Sequence, residues 1–171
     1  KSTSGSYSWG ITTSFGYLPL DNSSFFKTKN SLVDWLRQWA NNDEEKEELY
    51  IRGFLGKMLF SGDEALKSCD VLSGGEKVRC MLSKIMMGNP NVLLIDEPTN
   101  HLDLESITTF NNSLINFKGT VLMSTNDIAF AKSVSNRIIE ITPNGIIDSY
   151  LSFDEYVKDK KIINQRERLY K

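Results

Sequence analysis

Residues 30–60 carry apolar side chains at the spacing of an α-helix. Two stripes recur at positions i, i+3, i+4 and i+7, and they predict two amphipathic helices. The first contains Leu32, Trp35, Leu36 and Trp39, and the second contains Ile51, Phe54, Leu55 and Met58. The acidic residues between them, within 41–48, predict the start of the second helix, because carboxylates are favoured at a helix N-terminus. Before them, β-branched and aromatic residues within 9–20 predict a strand that leads into a loop.

The second half alternates short apolar runs with further helical stripes. Residues 92–95, 120–123 and 137–141 predict buried strands, and stripes beginning at Val78, Ile107 and Ile128 predict helices between them. This alternation is typical of an α/β protein with a parallel sheet. The turn residues 142–145 predict a hairpin, so that an antiparallel pair ends the sheet. From Phe153 onward the charged residues predict a helix or a tail.

Composition limits the class of protein. The 171 residues are 40% hydrophobic and 25% charged, as expected of about one globular domain, and the net charge of −2 is too balanced for an overall nucleic-acid footprint. The sequence has no apolar run long enough to span a membrane and no signal-peptide pattern, so we expect a cytoplasmic protein. Cys69, Cys80 and the single histidine, His101, have no metal-site spacing, and the cysteines are interpreted as reduced structural thiols.

Two blocks of sequence carry the candidate chemistry. The first, Leu72-Ser73-Gly74-Gly75-Glu76, precedes a predicted helix. Glycines let backbone amides approach a ligand closely, and the helix directs its N-terminal dipole at the same point, which suits a phosphate. The alternative is an ordinary loop and helix N-cap.

The second block follows the predicted strand 92–95. Asp96 and Glu97 are placed at the carboxyl end of that strand, where open α/β sheets bind ligands. In phosphate chemistry, the first carboxylate suits Mg²⁺ and the second can hold and polarise an attacking water. The alternative is that both carboxylates only cap the following turn.

The two blocks together resemble the nucleotide-binding domain of the ATP-binding cassette (ABC) ATPases. The quoted motifs are Leu72-Ser73-Gly74-Gly75-Glu76 and Ile95-Asp96-Glu97-Pro98-Thr99-Asn100-His101-Leu102-Asp103. The resemblance implies a P-loop NTPase-type α/β fold with a mostly parallel sheet, an antiparallel edge and a helical subdomain that carries the signature. It also implies ATP and Mg²⁺ as cofactors. The implied nucleotide-binding residues are Ser73, Gly74, Gly75, Glu76, Asp96 and Asp103, with Asp96 as the metal ligand and Glu97 as the catalytic base.

Glu76-Lys77-Val78-Arg79 and Asn100-His101-Leu102-Asp103 are most similar to the ABC-F family. Residues 7–10, 17–22, 32–39 and 152–156 are similar to the second cassette of that family. The resemblance implies two cassettes on one chain without membrane insertion, and ATP hydrolysis that acts on the ribosome in translation, including protection from antibiotics. The implied partners are a second ABC cassette and ribosomal RNA.

The sequence departs from the ABC pattern at three places. It contains no Gly-x-x-x-x-Gly-Lys-[Ser/Thr] stretch, and residues 11–29 contain no glutamine for the family's Q-loop. The switch histidine corresponds to Asn126, which can donate a hydrogen bond to a γ-phosphate but cannot carry the imidazole's proton. We therefore expect a C-terminal part of the second cassette that supplies signature and Walker B residues and binds ATP poorly on its own, with Asn126 as a second catalytic residue.

Four segments are predicted. They are an antiparallel β-subdomain remnant with the Q-loop region (1–29), the helical signature subdomain (30–90), the Walker B core and switch region (91–151), and a charged C-terminal helix or tail (152–171). Without the P-loop strand and helix, apolar surface is expected around Leu93, Ile95 and Leu122, with dimerisation or poor solubility as the consequence.

Two alternative functions stay open from the sequence. One is an ATPase subunit of a membrane transporter, against which the Asn-His-Leu-Asp motif argues. The other is a non-hydrolysing regulatory module, favoured by Leu20 and Asn126 and disfavoured by Glu97.

Overall fold

The computed structural model describes residues 4–100 and 102–171, and the chain divides into two units, residues 1–124 and 125–171. The boundary lies inside the predicted segment 91–151. The first unit contains β1 (Phe15–Leu18), α1 (Leu32–Arg37), α2 (Glu48–Lys57), α3 (Gly74–Met87), β2 (Val92–Asp96), α4 (Leu104–Ile115) and β3 (Thr120–Ser124). The second contains α5 (Ile128–Val134), β4 (Ile138–Thr142), β5 (Gly145–Ser149), α6 (Phe153–Lys158) and α7 (Lys160–Leu169).

The first unit is built on a parallel sheet in the order β1-β2-β3. Asn91 sets the start of its strands: its side-chain oxygen accepts from the Ser14 backbone N–H (2.9 Å), and its amide nitrogen donates to the Thr12 carbonyl (2.8 Å). The expectation of an antiparallel remnant in 1–29 is wrong for the strand in this segment, since Phe15 pairs in parallel with Val92. The helices between β1 and β2 return the chain to the same end of the sheet, which makes the pairing parallel.

Helices α1, α2 and α3 share a core that includes Leu36, Ile51, Leu55 and Met81, all essentially without solvent exposure. The two predicted stripes are therefore buried as expected, except for Trp39, which follows the end of α1 and is 40% exposed, and Phe54, which is half-buried. The acidic residues before α2 are mostly outside it, because the helix begins only at Glu48. The cysteines are free and buried, as interpreted from the sequence.

The two faces of the parallel sheet differ in exposure. Leu93 and Ile95 are buried on the face toward α3, whereas Tyr17 and Leu122 on the other face are more than half exposed (53% and 57%). The expectation of apolar exposure around Leu93, Ile95 and Leu122 is therefore right only for Leu122. Successive side chains of a strand point to opposite faces of the sheet. Leu122 is the register partner of Leu94, so it lies on the face opposite to Leu93 and Ile95.

The second unit has a sheet of its own. β4 and β5 pair as an antiparallel hairpin in a separate two-stranded sheet, so the prediction that this pair ends the parallel sheet is wrong. Residues 137–141 are also not a fully buried strand, since Ile141 is 79% exposed. Ile147, Tyr156 and Ile162 form the core under the hairpin, and residues 153–158 and 160–169 are helical. In the part of the chain that the structure describes, no helix is long and apolar enough to cross a membrane.

Candidate functional site: the signature turn and the end of strand β2

The first block forms the N-terminus of the 14-residue helix α3. Ser73 is the N-cap residue: its hydroxyl accepts a hydrogen bond from the Glu76 backbone N–H (3.2 Å), and the Glu76 carboxylate accepts one from the Ser73 backbone N–H (2.8 Å). This reciprocal arrangement is a capping box. The predicted cap is therefore present. We name residues 72–76 the signature turn.

The signature turn is anchored on one side and open on the other. Leu72 is buried, whereas Ser73 and Gly74 are exposed. Because Ser73 caps the third amide of α3, the first two amides, those of Gly74 and Gly75, have no partner inside the helix and point out of its end. The dipole of α3 adds partial positive charge at the same place. The turn therefore has the donors that an anion needs.

Glu76 is held by two groups. The Lys67 ammonium lies 2.7 Å from its second carboxylate oxygen. Burial raises the pKa of Glu76, but the hydrogen bonds from Lys67 and Ser73 outweigh it and hold that pKa below the ordinary value. The same bond raises the pKa of Lys67. Both groups are therefore charged at neutral pH.

The second block ends strand β2. Asp96 is its last residue, and the Ser124 hydroxyl donates a hydrogen bond of 2.5 Å to the Asp96 carboxylate. The two residues are register partners in the parallel pair of β2 and β3. Ser124 was missed by the sequence reasoning. The signal was present, because the last residues of adjacent parallel strands meet at one edge of the sheet.

Glu97 begins the turn after β2. Its backbone has a φ of 46°, in the left-handed region that is uncommon for residues other than glycine. The Glu97 backbone N–H donates to the Ser124 carbonyl (3.0 Å), and its carbonyl accepts from the Asn100 N–H (3.2 Å). Such a conformation at a strand end is frequent in functional turns. Asp96 and Glu97 are both half-buried, so their carboxylates can meet a ligand at this edge.

The cap of helix α4 is a different carboxylate. Asp103 accepts a hydrogen bond from the Ser106 backbone N–H (2.8 Å), which lowers the pKa of the Asp103 carboxyl. The N-cap of α4 is therefore Asp103 and not Asp96. A nucleotide contact for Asp103 stays a prediction. His101 lies outside the described residues.

The site residues fall into two groups within the first unit. The signature turn is bound to Lys67, and Asp96 is bound to Ser124. Asn126 is exposed and belongs to the second unit, so its role stays a prediction. Among the described residues, no three His, Cys, Asp or Glu side chains cluster as a metal site. One carboxylate is nevertheless enough for Mg²⁺ that arrives with a nucleotide, since phosphates and waters supply its other ligands.

Comparison with known sequences identifies relatives. The protein "Uncharacterized ABC transporter ATP-binding protein YkpA" of Bacillus subtilis is 53% identical over 171 residues, which cover 99% of this chain and 31% of the relative. The "ABC transporter F family member 2" of Arabidopsis thaliana is 36% identical over 112 residues, which cover 66% of this chain and 16% of the relative. The chain thus spans about a third or less of the length of these relatives.

Solved structures share the fold. The ATP-binding cassette MJ0796, solved as a dimer in a post-hydrolysis state bound to ADP and Pi, matches with a TM-score of 0.58 and 22% identity, over 74% of this chain and 58% of that chain. A complex of the archaeal ribosomal stalk protein aP1 and the archaeal ribosome recycling factor aABCE1 matches with a TM-score of 0.61 and 20% identity, over 80% of this chain and 26% of that chain. These matches confirm the predicted α/β cassette fold.

The family match includes both blocks of the candidate site apart from residues 101–103. The sequence model of the family described as "ABC transporter" matches residues 12–100, which is more than half of the chain. The chain therefore belongs to the ABC transporter family.

Proposed function

We propose that this chain supplies the signature and Walker B residues of an ABC-F-type ATPase, in which ATP is hydrolysed between two cassettes. One observation carries the proposal. The same chain has a helix N-terminus with exposed amide donors for an anion, at α3, and a carboxylate pair at the end of β2, in which Asp96 accepts a hydrogen bond from Ser124 and Glu97 follows. The relatives with F family names and the dimeric cassette of the same fold support it.

Each group has a distinct task in this proposal. The Ser73 hydroxyl and the first amides of α3 bind the terminal phosphate of a nucleotide presented by the other cassette. Asp96 holds Mg²⁺, and Ser124 fixes the orientation of its carboxylate. The metal ion neutralises phosphate charge when bound. Glu97 orients the attacking water and accepts its proton.

An Asp96→Asn substitution in the full-length protein tests the metal step. It keeps the side-chain shape and a hydrogen-bond acceptor for Ser124 but removes the charge that attracts Mg²⁺. We expect loss of phosphate release and of Mg²⁺-dependent ATP binding. Ser113→Ala is the matched control, because that hydroxyl donates only to a carbonyl of its own helix, that of Thr109 (2.9 Å). Unchanged turnover in Asp96→Asn would contradict the assignment.

The finer part of the proposal is action on the ribosome, with antibiotic protection as its most specific form. The basic residues in and after helix α7 support the proposal of an RNA partner. Lys161 and Arg168 lie seven residues apart on one face of this helix, with Lys160 beside Lys161. Lys171 follows the end of the helix, and all four side chains are exposed. None of the four takes part in the ion pairs formed among the described residues. A row of unpaired cations suits a phosphate backbone.

Reversing two of these charges tests the RNA partner. We expect Lys161→Glu with Arg168→Glu to weaken co-sedimentation of the full-length protein with ribosomes and to reduce its salt dependence, because about one phosphate contact is lost per cation. Lys27→Glu with Lys29→Glu is the matched control on another exposed surface. Equal co-sedimentation of both variants and the wild type would exclude this surface. Binding to anionic vesicles in place of ribosomes would exclude RNA as its partner.

A further inference from the structure

The signature turn contains a negatively charged side chain at the place where it is proposed to bind phosphate. Glu76 lies in the first turn of α3, within the same capping box as Ser73. A bare carboxylate there would repel the triphosphate that the turn is proposed to bind, since like charges at short range oppose each other. Its side chain is only 15% exposed, so water screens the charge incompletely.

Lys67 is placed to remove that repulsion. Its ammonium lies 2.7 Å from Glu76 but 3.8 Å from Glu64, so Glu76 is the nearer partner. The Lys67 backbone is also fixed: its carbonyl accepts from the Leu32 N–H (3.0 Å), and its N–H donates to the Glu64 carbonyl (3.1 Å). The lysine is therefore held by the start of α1 and does not depend on the nucleotide for its position.

The two carboxylate oxygens of Glu76 accept hydrogen bonds from different donors. One accepts from Lys67 (2.7 Å), and the other accepts from the Ser73 backbone N–H (2.8 Å). The Glu76 carboxylate thus bridges the Lys67 ammonium and the Ser73 backbone N–H. Any movement of Glu76 would release the Ser73 amide and open the cap at the point where phosphate is expected.

We propose that Lys67 is a positioning residue of the signature turn: it neutralises Glu76 and holds it against Ser73, so that the end of α3 accepts a nucleotide phosphate from the other cassette. This inference rests on the proposed ATPase function. Lys67 itself touches no nucleotide in this account and acts only through Glu76.

Steady-state ATP hydrolysis by the full-length protein tests the proposal. Lys67→Met should raise KM for ATP about three- to fivefold, the scale of one partly exposed ion pair, with a smaller change in kcat. Lys67→Arg should keep the wild-type KM because it retains the charge. In Lys67→Met with Glu76→Gln, the repelling charge is gone and a cap acceptor remains, so KM should return to that of Glu76→Gln alone.

Lys46→Met is the matched control. It removes an exposed lysine from a 2.8 Å ion pair with Asp43, remote in sequence from the signature turn, and should leave KM unchanged. Thermal unfolding of each variant establishes that it is folded. If the wild type hydrolyses ATP but Lys67→Met has an unaltered KM, or if the double variant stays as impaired as Lys67→Met, the positioning role is refuted. If the wild type itself does not hydrolyse ATP, the proposed function fails first.

Discussion

The Ser73 hydroxyl has a structural role in the capping box and, in the proposed function, a second, chemical role toward phosphate. Ser73→Ala removes the acceptor that holds the Glu76 backbone N–H at 3.2 Å. Loss of an N-cap side chain costs about 1 kcal/mol of stability. The helix should persist, because Val78, Met81 and Leu82 of α3 are buried in the core.

Ser152 offers an internal comparison for the same perturbation. It caps α6 with the same kind of box: its hydroxyl accepts from the Glu155 N–H (3.4 Å), and its own N–H donates to the Glu155 carboxylate (3.0 Å). Ser152→Ala should therefore also cost about 1 kcal/mol. Ser152 belongs to no candidate site, so its loss should not alter ATP turnover.

The assay pairs urea unfolding with phosphate release for both variants of the full-length protein. We expect similar losses of unfolding free energy, but a loss of turnover only in Ser73→Ala. A single oriented donor to a transition-state oxygen is worth on the order of 10²-fold in rate. Equal turnover in the two variants would mean that the signature turn is only a helix start, and the reasoning would be refuted.

Three further predictions concern stability. In Gly16→Ala the new Cβ would lie 2.6 Å from the Ile85 side chain, so we expect a loss of about 1–3 kcal/mol in urea unfolding. Gly53→Ala, in open space within α2, should instead stabilise by about 0.5–1 kcal/mol, and destabilisation there would contradict the packing argument. Burial raises the pKa of Glu140, but hydrogen bonds from Arg166 and Tyr156 hold it below the ordinary value of 4.5. Its contribution to stability is therefore present above that pH and lost as the pH falls through the lowered pKa. Thermal melts across this range should show a weaker pH dependence in Glu140→Gln than in the wild type, and parallel curves would refute the assignment.

The periodicity of apolar residues was a reliable guide where one element buries one face. Leu36 and Leu55 lie in the core of the first unit as their helical stripes predict. The parallel pairing of β2 and β3 also follows from alternating strands and helices. Each of these conclusions depends on local sequence, and the tertiary packing agrees with it.

Long-range pairing was harder to predict. The turn at 142–145 predicts correctly that β4 pairs with β5, but in the described part of the chain this hairpin forms a sheet separate from β1, β2 and β3, which the sequence does not indicate. The direction of β1 was predicted wrongly for the same reason, since pairing direction depends on where the intervening helices return the chain. Neither choice is encoded in the strand's own residues.

The candidate site shows the same division. Ser73 and Asp96 were recognisable because they belong to short contiguous motifs. Lys67 and Ser124 were not, because Lys67 precedes Glu76 by a loop and Ser124 meets Asp96 only through sheet register. Supporting residues of this kind depend on the fold that brings them to the motif.

The central claim is that ATP is hydrolysed with Glu97 as the base that activates water. The most direct measurement is the identity of the nucleotide retained by the Glu97→Gln variant of the full-length protein after incubation with labelled ATP and Mg²⁺. We predict that this variant retains unhydrolysed ATP and loses turnover by about 10²-fold or more, whereas the wild type releases ADP and phosphate. Turnover in the variant equal to that of the wild type would contradict the claim and favour a non-hydrolysing regulatory cassette.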